Sequence, residues 1–111
     1  MDQAQLVRYL EDPHAAEDWL RSLGVGDCRR AHSNLVSLSE NGLTLDLLAA
    51  IGDQLAEHLP HTYRSDRVMQ HLARFTAASR NPLALGSLLE RDRGALPVLL
   101  RILSTGPFLT N

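Results

Sequence analysis

Arg64-Ser65-Asp66-Arg67-Val68-Met69-Gln70-His71-Leu72-Ala73-Arg74-Phe75-Thr76 opens the part of the chain from which the fold is read. Val68, Met69, Leu72, Phe75 and Thr76 recur at three- and four-residue spacing, so they form the inward face of one helix, with Ser65 as its cap. Asn81-Pro82 then supplies a capping side chain and a proline suited to a first helical turn, opening a helix that groups Leu85, Leu88 and Leu89. After a break at Asp92 to Gly94, Pro97 fits only the first turn of a further helix carrying Leu96, Leu99, Leu100 and Leu103.

The same punctuation runs back to the start. Asp2 caps a helix with Leu6, Val7 and Leu10 inward, and Asp12-Pro13 caps and opens a second with Ala16, Trp19, Leu20 and Leu23, ended by Gly24. Asp27 caps a third, whose stripe is Cys28, Ala31, His32, Leu35 and Leu38, and Asn41-Gly42 provides its exit. Thr44 caps a fourth that is apolar on a broad face, from Leu45, Leu47 and Leu48 through Ile51 and Leu55 to Leu59, with Pro60 closing it. Leu and Ala dominate the apolar residues, and their side chains lose little freedom in a helix. The expected fold is all-α, a compact bundle or stacked helical hairpins of six to seven short helices in a single domain over residues 1–111.

A shift of 40 residues superposes Leu35 on Phe75, Leu43 on Leu83, Leu45 on Leu85, Leu48 on Leu88, Ala49 on Leu89 and Leu59 on Leu99. Two helical hairpins of similar design then stack as adjacent repeats.

The net charge of −2 conceals an asymmetry. Residues 1–63 carry ten carboxylates and four arginines, and residues 64–111 carry seven arginines and three carboxylates, giving −6 and +4. There is no lysine. An overall acidic chain argues against nucleic acid as a partner. The single cysteine, Cys28, excludes an internal disulfide and suits a reducing cytoplasm. No basic-then-apolar stretch precedes the first polar residues, so no signal segment is expected, and no apolar run approaches the roughly 20 residues that cross a bilayer. The expectation is a cytoplasmic protein with no membrane partner.

Enzymatic constellations are hard to assemble. Gly24-Val25-Gly26 lacks the preceding strand and the third glycine of a dinucleotide loop, and Arg29 stands where that glycine belongs. Glu90-Arg91-Asp92 places its two carboxylates nearly opposite each other on a helix, so they do not chelate one magnesium ion. The histidines 14, 32, 58, 61 and 71 are scattered and make no four-ligand metal set. Cys28, at a helix start beside Arg29 and Arg30, has the setting of a reactive thiol, but it also lies on an inward stripe. No catalytic, cofactor or metal residue is assigned. Arg64, Arg67, His71 and Arg74 make a basic stripe on the outer side of their helix and, with Arg91, are the candidates for docking a protein.

Asp66-Arg67, Leu72-Ala73-Arg74-Phe75, Ser79-Arg80-Asn81-Pro82, Leu88-Leu89-Glu90-Arg91-Asp92, Ala95-Leu96-Pro97-Val98-Leu99-Leu100 and Phe108-Leu109 together resemble the helical segment that precedes a catalytic domain in the bacterial glutamine synthetase adenylyltransferase family. Leu23-Gly24 and the stretch from Asp27 to Leu38 are similar to that family's extreme N-terminal region, so the resemblance covers about three quarters of the chain. It implies a non-catalytic helical domain ahead of the first of two nucleotidyltransferase domains. The parent, by this resemblance, adds AMP to glutamine synthetase and removes it, uses ATP and magnesium, and responds to glutamine and the PII signal protein. The implied partners are the downstream catalytic domain, glutamine synthetase and the PII signal protein, with no cofactor in this chain. The family's catalytic Gly-Ser and Asp-x-Asp pattern has no counterpart here, so no catalytic residue carries over. The chain also departs from the family at Leu103-Ser104-Thr105-Gly106-Pro107, where the family has Phe-Gly-x-Ser, and its stop at Asn111 is read as a cut within a longer protein. The alternative is a free-standing helical interaction module.

Overall fold

The computed structural model describes residues 1–62 and 64–105. Seven α-helices account for nearly all of them: α1 Gln3–Glu11, α2 Pro13–Ser22, α3 Cys28–Glu40, α4 Leu45–His58, α5 Ser65–Ala78, α6 Pro82–Arg91 and α7 Ala95–Thr105, with a 3-10 turn at Leu59–His61. There is no strand among the described residues. The expected Phe108-Leu109 helix start lies outside them.

Helix starts follow the capping chemistry of the sequence. The side chains of Asp2, Asp12, Asp27, Thr44 and Asn81 each accept a hydrogen bond from a backbone N–H of the first turn they precede. Ser65 departs from that pattern. It is the first residue of α5 rather than its cap, it is buried, and its hydroxyl donates to the Leu59 carbonyl oxygen at 2.9 Å. The cap position falls to Arg64 in the left-handed region, at φ 62° and ψ 58°. Such a conformation costs a non-glycine residue roughly 1–3 kcal/mol.

Two hairpins, α3–α4 and α5–α6, lie side by side and point the same way. At one end the Gly26 N–H donates to Asp66 Oδ1 at 2.8 Å. At the other, Asn41 Nδ2 donates to the Ala73 carbonyl oxygen at 3.1 Å and to Thr76 Oγ1 at 2.8 Å. The starts of α3 and α5 are therefore neighbours, and so are their ends. α4 and α6 match in the same sense: Gly42 adjoins Pro82, Gly86 adjoins Leu43 and Leu47, and buried Gln54 donates to the Leu89 carbonyl oxygen at 2.9 Å. A side chain at Gly86 would place its Cβ 2.6 Å from Leu43 Cδ2, so the small residue permits this approach.

α1 and α2 cover the α3–α4 hairpin on its other side. His32 donates through Nε2 to the Tyr9 carbonyl oxygen at 2.8 Å, and Tyr9 stacks on Trp19 with ring centroids 5.6 Å apart. Met1 and Trp19 close over Gly52 in α4. α7 lies against the end of the stack where α5 begins, burying Leu96, Leu100 and Leu103. One continuous apolar cluster runs from Leu6 in α1 to Leu103 in α7.

The 40-residue shift thus corresponds to a real lateral relation, with Gly26 and Asp66 in contact 40 positions apart. Burial does not follow it. Leu35, Leu43 and Leu48 are 0%, 8% and 1% exposed, whereas Phe75, Leu83 and Leu88 are 37%, 46% and 47% exposed. The inward placement expected of Phe75 is therefore corrected, and Leu88, grouped with Leu85 and Leu89, is exposed where Leu89 is buried: α1 and α2 cover the far side of α3–α4, while α7 covers α5–α6 only in part. Leu45, expected in the α4 stripe, is also exposed, at the first turn of its helix.

Gly24 is the tightest point of the α2–α3 loop. Its φ is +84°, and an added Cβ would lie 3.2 Å from both Pro60 Cα and Ser65 Oγ. Gly24→Ala is expected to lower stability by about 1–3 kcal/mol. Urea unfolding followed by circular dichroism should show a lower midpoint with an unchanged slope.

Candidate docking face

The basic stripe of α5 is divided by α7. Arg67 and Arg74 are exposed, but His71 between them is only 5% exposed, and its Nδ1 donates to the Leu103 carbonyl oxygen at 3.1 Å. His71 is therefore removed from the docking set. It holds α7 in place, using a carbonyl of the last helical turns, which lack partners within their own helix. Spacing alone put His71 with the arginines, and only the path of α7 explains why it is covered.

Arg64 is exposed at the turn into α5, and Arg91 is exposed in the last turn of α6, where a cation suits the helix dipole. Among the described residues no ion pair is seen at Arg67, Arg74 or Arg91, whereas Arg21 pairs with Glu17 at 2.6 Å within α2. Arg67, Arg74 and Arg91 face outward.

Arg74 borders a groove of about 270 Å³ between α3 and α5, lined also by Asn34, Ser37, Asn41, Gln70, Ala73 and Ala77. The alanines let the two helices approach, and no carboxylate lines the groove. The Asn34 Nδ2 is shielded from solvent and has no hydrogen-bond partner. Asn34, Ser37 and Asn41 do not stand out in the sequence, where the apolar stripe of α3 dominates. Their spacing of three and four residues is itself a helical stripe and was the available signal.

Two further clefts hold the remaining polar residues of interest. One of about 540 Å³ lies between α2 and α3 and is bordered by Pro13, His14, Glu17, Cys28, Arg29 and His32. Cys28 is half-buried there, and His32 is engaged through Nε2 with Tyr9. The other, about 290 Å³, sets His58, His61 and Thr62 against Pro97, Leu100, Arg101 and Ser104 of α7. No three metal-ligating side chains come together among the described residues. No helix among them is long and apolar enough to cross a membrane.

Comparison of the chain with protein-family models, curated proteins and solved structures gives no match.

The division of the stripe has a measurable signature. Arg67→Ala and Arg74→Ala are each expected to change stability by less than about 0.5 kcal/mol. His71→Ala should cost about 1–3 kcal/mol, because it strands a shielded carbonyl and opens a gap under α7. Parallel urea titrations check this; equal effects at the three positions would remove the distinction.

Proposed function

We propose that this chain is a non-catalytic helical positioning domain of a protein resembling the glutamine synthetase adenylyltransferases, and that it works by presenting the outer face of α5 and α6 to a neighbouring domain or protein. The observation that carries the docking part is the coincidence of outward arginines and exposed large apolar side chains on the same helices. Phe75, Leu83, Leu88, Val98 and Ile102 are all at least 37% exposed and all belong to α5, α6 or α7. Apolar groups ringed by charge are a common composition for a protein-binding patch.

The family part rests on the resemblance, and the residues that carry it have consistent structural work. Asn81-Pro82 opens α6, Leu89 is buried beneath it, and Leu96 and Leu100 anchor α7. A rigid stack of hairpins suits a part that holds other parts at a fixed separation. The parent would carry the ATP, the magnesium and the AMP transfer, with glutamine synthetase or the PII signal protein as further partners. A cytoplasmic setting belongs to the same proposal.

Peptide mapping of the native gene product tests the family reading. The expected product continues past Asn111 into a Gly-Ser and Asp-x-Asp nucleotidyltransferase pattern. A product ending at Asn111 would overturn that reading and leave a free-standing helical interaction module.

A further inference from the structure

The seam between α3 and α5 is closed at one end and chemically incomplete two turns earlier. Asn41 commits its Nδ2 to the Ala73 carbonyl oxygen and to Thr76 Oγ1. Asn34, seven residues before it on the same face of α3, has an Nδ2 that is shielded from solvent and meets no acceptor. Ser37 lies between the two, and Gln70 and Arg74 of α5 form the opposite wall of the same groove. No hydrogen bond or ion pair among the described residues engages the side chains of Ser37, Gln70 or Arg74. Four polar side chains from two helices thus converge on one groove with their bonding capacity unused. A shielded donor without an acceptor is costly, so a group that brings one is favoured there.

The lining also fixes the charge of that group. Arg74 carries the one charge among the described lining residues, and no carboxylate answers it. A turn back along each helix, the Asp66 carboxylate is held by the Gly26 N–H and Arg30 adds an exposed positive charge. We propose that the α3–α5 groove receives a single acidic side chain, a glutamate or aspartate presented by a neighbouring protein segment. Its carboxylate accepts two N–H donors of the Arg74 guanidinium, with the Asn34 and Gln70 amides and the Ser37 hydroxyl as further donors. A planar monoanion matches the guanidinium fork, whereas a phosphate dianion leaves a charge unmatched beside one arginine. Size points to a side chain as the source: at about 270 Å³ the groove is smaller than the roughly 300–1,000 Å³ of pockets that enclose whole ligands. Arg74 belongs to the docking set, so the proposal rests on the docking reading and deepens it by naming the group that Arg74 receives.

The probe is the blocked tripeptide acetyl-Ala-Glu-Ala-amide, titrated into the isotope-labelled chain. Saturable shifts are expected at the side-chain amides of Asn34 and Gln70 and at the methyl groups of Ala73 and Ala77, which also line the groove. The corresponding glutamine tripeptide is expected to bind about tenfold more weakly, and Arg74→Gln in the chain to weaken the glutamate tripeptide by about the same factor. Arg74 is exposed, so Arg74→Gln leaves the circular dichroism spectrum unchanged. The proposal is overturned if no saturable shift appears at these residues, or if the glutamine tripeptide binds as tightly as the glutamate one. Sodium acetate supplies the third arm: acetate that saturates the same resonances at the same concentration as the tripeptide assigns the groove to a free anion and overturns the side-chain source. The exposed apolar side chains of α5, α6 and α7 take no part in the titration, so the groove can fail while the docking reading stands. Whether the native product continues past Asn111 does not enter any of these readouts.

Discussion

The structure depends on α3 and α5 being held parallel. Two amphipathic helices joined by a short loop run antiparallel by default, and parallel neighbours need a third element between them in the chain. Here α4 is that element. The arrangement is then fastened at both ends, by the Asp66 carboxylate on the Gly26 N–H and by the Asn41 amide on Ala73 and Thr76. With α3 and α5 in register, α6 is carried back alongside α4. The small residue Gly86 and the Gln54 amide complete a second row. Each of these polar contacts contributes only about 1 kcal/mol. They select the register, while the leucines between them supply most of the stability.

The helices themselves were legible because their starts are written in local chemistry. Asp2, Asp12, Asp27, Thr44 and Asn81 cap as expected, since a cap is a contact between residues two or three positions apart. Ser65 misled for an instructive reason. Its residue type fits a cap, but its hydroxyl is taken by the Leu59 carbonyl oxygen, six positions back, once the 3-10 turn folds the chain over. The 40-residue shift was legible as a pattern of leucines, but the pattern gave no means of telling a covered hairpin from an outer one. Leu48 and Leu88 occupy matching positions under the 40-residue shift and have opposite exposure, because coverage is a property of layers rather than of local spacing.

The candidate face was partly legible. Arg67, Arg74 and Arg91 are where an outward stripe puts them, and His71 is not. A histidine on a helix surface reads as solvent-facing until another helix is known to cross it. The α3–α5 groove was hidden differently. Asn34, Ser37 and Asn41 look like ordinary surface polarity, and only the parallel placement of α5 turns them into one wall of a shared depression.

The two ends of the stack differ in a way that bears on growth. If each layer could receive an identical layer, copies of the chain would add head to tail without closure and form a fibre. The α1–α2 end is built differently: Tyr9 and Trp19 stack on each other, and Met1 and Trp19 turn inward onto Gly52 of α4. The first and last layers are thus made from different side chains, which gives the repeat a direction.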